Sequence, residues 1–380
     1  MKCAGILRIG FKLLVSDRAK FSALLIGITF AVFLMMQMTA MFAGVISRAH
    51  STISNIGAPM WIIDPAVNTP TSAIPLPDYL LDSVRSMEGV SYAVPLFVGG
   101  AQVRLANGSY QGVTVIGLDD TSLYGRPELE QGQISDIFAD NGFFVVNDAE
   151  IGKLDSPKIG TSFELNDHRG VIVGIARVAA NGLNGVPTLY TTYSRAIEYL
   201  PTTRFTISYV LLQARNEAAV ASIKQQVAAL GYLALTRDEF NQRTSDFYTY
   251  KTGVGTNILI MTVISFLVGL SISGQTFYSF ILENLEKFGA LKAIGAKGRE
   301  LVYMILFMAG FTALTGFGLG VGLVTLLISA ARANLPNYAA IVTPGNLLLA
   351  FGMVLVIAGV SSYFGVRRVL RIEPFDIFRG

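Results

Sequence analysis

Charged residues are scarce in this sequence: they make up 14% of 380 residues, while 52% are hydrophobic. Soluble domains usually carry about 25% charge, so a purely water-exposed globular protein is disfavoured. A single cysteine, Cys3, excludes an internal disulfide framework and a thiolate-rich metal site. Two histidines, His50 and His168, are too few for a multi-histidine metal centre and leave no convergent acid-base set for a hydrolase. The net charge of +3 excludes a strongly basic nucleic-acid binder, so no nucleic-acid partner is expected. No G-x-x-x-x-G-K-[ST] phosphate loop occurs; the nearest string, Gly152-Lys153, continues with Leu154. No catalytic, cofactor or metal site is therefore expected, and if ATP drives this protein another chain binds it.

What is present is four charge-free stretches: Phe21 to Ser47, Thr252 to Leu282, Leu301 to Ala331 and Ala333 to Val366. Each meets the roughly 20 residues needed to cross a hydrocarbon core. Pro336 and Pro344 interrupt the last one, which places its helix at 345–366 after a short loop from Leu335 to Thr343. The first run is longer than a signal-peptide core and lacks a small-x-small site before Arg48, so it is expected to remain as an anchor. No Lys, Arg, Asp, Glu or His falls within the spans, which disfavours ion-coupled transport. Gln37 and Gln275, the more polar intramembrane residues, read as helix-to-helix hydrogen-bonding groups.

Lys and Arg are retained on the cytoplasmic side. Residues 1–20 carry Lys2, Arg8, Lys12, Arg18 and Lys20 against Asp17; the loop 283–300 and the tail 367–380 are also net basic. Residues 48–251 hold 15 basic and 20 acidic residues. Both termini and the loop 283–300 are thus expected in the cytoplasm and the domain 48–251 on the exported side of the membrane. The predicted fold class is a four-helix membrane protein with a mixed α/β extracytoplasmic domain inserted between helices 1 (21–47) and 2 (252–282), helix 3 at 301–331 following the loop.

Within the inserted domain two stretches read strand, helix, strand. The first is Met60 to Ile63, Pro77 to Glu88 and Val90 to Val94; the second is Thr206 to Gln213, a helix capped by Asn216, and Tyr232 to Leu235. They are expected to pair into one α/β layer. Between them, Asn107-Gly108 predicts a two-residue turn joining Ala101–Leu105 to Tyr110–Leu118, and Asn166 to Gly170 separates Ser162–Leu165 from Val171–Val178, a mostly β insertion. Asn107-Gly108-Ser109 matches a glycosylation sequon, but the turn explains it better. Arg237 to Lys251 reads as a stalk leading into helix 2.

Helix 3 carries Gly316, Gly318, Gly320 and Gly322, two overlapping small-xxx-small spacings; helix 4 adds Gly352 and Gly359, seven apart. All six read as helix-packing positions. Past helix 2, Leu282, Leu285, Phe288 and Leu291 recur at i, i+3 steps, which predicts an amphipathic helix able to lie on lipid or insert into a partner's groove. Gly289 and Gly295 allow close approach and a turn back into helix 3.

The string Glu286-Lys287-Phe288-Gly289-Ala290-Leu291-Lys292-Ala293-Ile294-Gly295-Ala296 resembles the E-x-x-x-L-K-A-I/M-G signature of the MacB/FtsX family of ABC-transporter permeases. The topology and the basic tail with Arg371-Ile372-Glu373-Pro374 are similar as well. Strings such as Val90 to Leu96, Val115 to Asp119 and Tyr190 to Ala196 resemble the DevC-type permeases, although Glu283 to Phe288 departs from the H-L-P-E-Y those often carry. The resemblance implies a permease subunit of an ATP-driven exporter for lipid-like or amphipathic substrates, working by mechanical coupling. It implies a homodimer, two copies of a separate ABC ATPase holding ATP and Mg, a HlyD-like periplasmic adaptor, a TolC-like outer-membrane duct, and contact with membrane lipids. Leu285, Glu286, Phe288, Gly289, Leu291, Lys292, Ala293, Ile294, Gly295 and Ala296 become the ATPase-coupling residues, with Phe288, Leu291 and Ile294 filling the ATPase cleft. The family also implies two alternatives: an FtsX-like transducer acting on a cell-wall hydrolase, and a Lol-type lipoprotein-extraction subunit.

Overall fold

The structure, a computed structural model, describes residues 3–179, 182–183, 185–200, 207–335 and 338–371. The readings at Thr206, Pro336, Ile372, Glu373 and Pro374 fall outside them. The chain forms two compact units, residues 1–44 with 255–380, and residues 45–254.

In the second unit the two strand-helix-strand stretches interleave. Strands β1 (Met60–Ile63) and β2 (Val90–Arg104) flank helix α4 (Tyr79–Arg85) in sequence; β9 (Tyr209–Ala214) and β10 (Leu233–Thr236) flank α6 (Glu217–Ala229). Their order in the sheet is β10-β1-β9-β2, all antiparallel. Leu80, Val84, Ile223 and Val227 of the two helices pack on Met60, Ile62, Val210 and Leu212, alternate residues of the strands. Local chemistry places α6: the Asn216 side chain accepts from the Ala219 N–H at 2.9 Å.

The β-rich insertion is continuous with this layer, because β2 runs 15 residues, on past the Val94 expected from sequence. It pairs with β3 (Tyr110–Leu118), and the sheet continues through β8 (Thr188–Thr192), β5 (Gly142–Val146), β7 (His168–Arg177) and β4 (Glu128–Gly132). Strand β6 (Ser162–Leu165) pairs with both β7 and β2, so β2, β3, β8, β5, β7 and β6 close on themselves. Val103, Val115, Leu189, Phe143, Ile172 and Leu165, one from each of the six strands, meet in a single buried cluster. Closure leaves those strands no free edge. A second cluster on the opposite face centres on Trp61, Tyr209 and Phe240, with ring centroids 5.5 to 6.1 Å apart.

Two turns differ from their predicted form. At Asn107-Gly108 the Gly108 N–H reaches the Leu105 carbonyl and the Leu105 N–H reaches the Ser109 carbonyl, with Gly108 at φ 84. This is a three-residue loop with a glycine bulge, held by Asn107 Oδ1, which accepts from the Ser109 N–H at 2.9 Å. The two-residue turn lies instead at Asn166-Asp167, both left-handed (φ 47 and 68), so β7 begins at His168 rather than Val171. Asn and Asp tolerate that region because their side chains can bond the nearby backbone. Neither histidine gathers a catalytic set: His168 stacks on Tyr199, and His50 Nε2 meets Ser245 Oγ at 2.9 Å.

After α7 (Arg237–Asp246), set by the capping box of Thr236 and Glu239, the chain makes a π-helical turn over Phe247–Lys251. Gly253, at φ 74, then separates the stalk from the following span. By contrast α2 (Arg18–Ala49) runs from the first unit into residues of the second as one unbroken helix.

The first unit holds α1 (Cys3–Ser16), most of α2, α8 (Val254–Glu283), α9 (Leu285–Ala293), α10 (Gly298–Asn334) and α11 (Pro344–Leu370). Four of these, α2, α8, α10 and α11, are long and apolar enough to cross a membrane. Helix α11 starts on Pro344, with the Thr343 hydroxyl accepting from the Asn346 N–H. The N-terminal segment, read as a charged tail, is itself helical: α1 lays Ile6, Gly10 and Leu14 against α10, where a Cβ on Gly10 would come within 2.5 Å of Met304.

Lipid gives helices no hydrophobic reason to associate, so close backbone approach at small residues matters most. On α10 only one of the two overlapping glycine spacings serves this: a Cβ on Gly316 would meet Ile28 at 2.6 Å, and one on Gly320 would meet Val32 at 2.6 Å. Gly318, Gly322, Gly352 and Gly359 have nothing within 4 Å of a built Cβ. Those four pack no helix among the described residues; a residue two positions along lies about 200° round the helix, so the two spacings cannot share a face. Gly27 and Gly269, not singled out from sequence, are packing positions, against Ile272 and Ala31.

Gly320→Val should destabilise the purified protein by about 1–3 kcal/mol through overpacking, and Gly318→Val should be neutral. Thermal unfolding in detergent compares them; equal melting temperatures would contradict the assigned face.

Candidate functional site

The segment joining α8 to α10 is built from three local devices. Helix α8 ends at Glu283, and the buried Asn284 breaks the run. Its Nδ2 donates to the Phe280 carbonyl at 2.8 Å, and its Oδ1 accepts from Lys287 Nζ at 2.8 Å. Helix α9 follows for nine residues and stops in a Schellman turn. There the Ala296 N–H reaches the Leu291 carbonyl at 3.0 Å, the Gly295 N–H reaches the Lys292 carbonyl at 3.1 Å, and Gly295 is left-handed at φ 103. Finally Glu300 accepts from the Lys297 N–H at 2.9 Å at the start of α10.

This short helix stands on a hydrophobic floor. Phe288 is fully buried and belongs to one cluster with Phe277, Phe280 and Ile281 of α8, Leu301, Met304 and Ile305 of α10, Ile6 and Leu14 of α1, Leu24 of α2 and Val369 of α11. Every helix of the unit therefore contributes to the cluster under α9. Polar ties surround it: Lys20 pairs with Glu283 and, at 3.2 Å, with Asp17, while Lys292 Nζ donates to the Leu370 carbonyl at 3.3 Å. Asp17 caps α2, and the Lys20 N–H it accepts holds its carboxyl below the ordinary carboxylate range.

The predicted coupling residues divide by face. Phe288 and Gly289 are buried, Ala296 is buried, and Leu285, Leu291 and Lys292 are half-buried against the unit. Glu286, Ala293, Ile294 and Gly295 face outward together with Lys287 and Ala290, Ile294 at 78% exposure. Phe288 is thus not free to enter a partner's cleft, as sequence suggested: its ring is committed to the floor. The i, i+3 apolar stripe is the inward stripe of α9, and the outward apolar side chain is Ile294. Sequence reading missed the contribution of α1, whose signal was present in Ile6, Gly10, Leu13 and Leu14 at helical spacing.

Two family models cover the chain in succession: a MacB-like periplasmic core domain over residues 22–230 and an FtsX-like permease C-terminal region over 259–374. The chain belongs to the MacB/FtsX-type family of ABC-transporter permeases. It is a membrane-embedded permease with four spans. An uncharacterized ABC transporter permease of Mycobacterium tuberculosis is 24% identical over 360 residues, 90% of each chain. Another, from Mycobacterium bovis, is 22% identical over 356 residues, 93% of each, and one from Methanocaldococcus jannaschii is 25% identical over 175 residues, 43% of this chain and 42% of that one. Among solved structures, the extracellular domain of the noncanonic ABC-type transporter YknZ aligns with 47% of this chain and 99% of its own at 12% identity and TM-score 0.36. The periplasmic region of MacB from Actinobacillus actinomycetemcomitans aligns with 49% and 93% at 13% identity and TM-score 0.37. The FtsX-like match spans α9, α10, α11 and most of α8, but not α1 and α2, which also contribute to the floor.

Removing the Phe288 ring with Phe288→Ala should cost this permease about 3–5 kcal/mol of stability. Ile294→Ala, on the open face, should change it by no more than about 0.5 kcal/mol. Melting in detergent checks both, and a Phe288→Ala protein as stable as wild type would refute the floor.

Proposed function

We propose that this permease is the transmembrane subunit of an ATP-driven exporter that passes force rather than substrate through its spans. Two copies would pair, and two copies of a separate ABC ATPase, carrying ATP and Mg, would dock under the outward face of α9. The observation carrying this reading is the mounting of that face: an exposed patch of Glu286, Ala290, Ala293 and Ile294 on a helix whose buried Phe288 belongs to a cluster that also draws on the other helices of the unit. A push on α9 cannot be absorbed locally, because the Schellman turn and the Asn284 bonds fix both of its ends. The force would reach the spans together, and α2, continuous from residue 18 to 49, offers a stiff path outward.

In this reading the termini and α9 lie in the cytoplasm and the domain of residues 45–254 in the periplasm, as the distribution of Lys and Arg favours. A DevC-like role implies a HlyD-like adaptor and a TolC-like duct as partners, and lipid-like or amphipathic cargo handled outside the spans. The absence of ionisable side chains from the charge-free runs supports mechanical over ion-coupled work.

Co-expressed with its ATPase, Ile294→Asp should remove permease-dependent ATP turnover while the melting temperature stays within a degree or two of wild type. Unchanged turnover and complex formation in that variant would sink the docking assignment. A second expectation concerns the tripartite arrangement: the intact permease-ATPase complex should retain a purified HlyD-like adaptor in a pull-down. If a cell-wall hydrolase is retained and the adaptor is not, the protein is a transducer.

A further inference from the structure

Between α3 (Ser51–Ile56) and the outer face of the closed strands lies a cavity of about 280 Å³. Its floor is two rungs across β2, β3 and β8. Gly100, Thr114 and Thr188 make one rung, and Val98, Ile116 and Tyr190 make the next. Alternate residues of a strand share a face, so the floor offers hydroxyls beside an apolar strip. Gly100 leaves it open: a Cβ there would meet nothing within 4 Å. From the helix side α3 brings Ser51, Thr52 and Asn55. The hydroxyls of Thr52, Thr114 and Thr188 are half-buried and have no hydrogen-bond partner among the described residues. Hydroxyls both donate and accept, so together they suit a ligand that does the same at several points. Among the described residues no Lys, Arg or His lines the cavity, and Asp148, just past β5, is the charged group on its wall. Its Oδ1 accepts from the Glu150 N–H at 2.9 Å. Burial pushes the Asp148 carboxyl above its ordinary range, and the Glu150 carboxylate adds to this while Arg48, outside the lining, opposes it. An anion is disfavoured beside two carboxylates, and an ammonium group is favoured.

We propose that this cavity binds a small hydroxylated amine, an amino sugar ring, with its ammonium group at Asp148, its hydroxyls on Thr52, Thr114 and Thr188, and its carbon face on Val98 and Ile116. Such a ring has polar edges and an apolar face, the same division that the two rungs show. The volume lies just under the roughly 300–1,000 Å³ of small-molecule sites, which limits the occupant to a single ring. One residue, His50, separates α3 from the end of α2. A ligand held between α3 and the floor therefore fastens the Ala49 end of that span to the strands. Binding here needs neither an ATPase nor a second copy, so it stands or falls apart from the docking reading.

The test uses the full-length permease in nanodiscs, with Cys3→Ser as background and Ser72→Cys, on the exposed lining of the cavity, as reporter. Saturating glucosamine should slow alkylation of that cysteine by iodoacetamide severalfold. Glucose should act only at higher concentration, and glucuronate, a similar ring carrying a carboxylate, should not act. Ala221→Cys, exposed on α6, should react at one rate throughout. Asp148→Asn should weaken glucosamine about tenfold relative to glucose. Gly100→Val, which fills the floor, should abolish protection by both sugars with the melting temperature unchanged. A chitosan tetramer that protects at lower concentration than glucosamine would assign the ring to a glycan chain, and one that protects no better would assign a free solute. Equal protection by glucuronate would overturn the charge assignment. No protection by any of the sugars would overturn the site, and undiminished protection in a folded Gly100→Val protein would overturn its place.

Discussion

The packing of Phe288 under α9 is the interaction on which the helical unit turns. The ring belongs to a buried cluster drawn from α1, α2, α8, α10 and α11, which ties a nine-residue helix, too short to be stable alone, to a larger body. The position of the short helix is therefore a property of the whole bundle. The same cluster explains why the N-terminal segment folds at all: α1 finds its apolar partner in the groove where Gly10 admits Met304.

The large-scale organisation could be read from composition, because charge-free runs of span length have few other uses. The helix cap at Asn216 and the pairing of β2 with β3 were legible from local rules, although the turn between those strands takes three residues rather than two. Other features escaped because they depend on partners remote in sequence. The closure of six strands through β6 needs Leu165 to find Val103, a pairing no local pattern announces. The two glycine spacings on α10 are equal as sequence, and only the position of Ile28 and Val32 on α2 selects Gly316 and Gly320 over Gly318 and Gly322.

The segment joining α8 to α10 shows the same division in miniature. Its i, i+3 stripe was visible and does mark an amphipathic helix, but periodicity cannot say whether the apolar side meets a partner or the chain's own core. The structure answers by burying Phe288 and exposing Ile294. Leu285, Phe288 and Leu291 turn inward while Glu286, Lys287, Ala290, Ala293 and Ile294 stay exposed, so the two sides of α9 differ in kind.

The contact of α10 with α2 through Gly316 and Gly320 has a kinematic consequence. Where the bare backbone at Gly316 and Gly320 rests directly on the Ile28 and Val32 side chains, only one layer of side chains separates the helices, which leaves little to repack if they rock apart. They can slide lengthwise by small steps, the motion of a shear rather than a hinge.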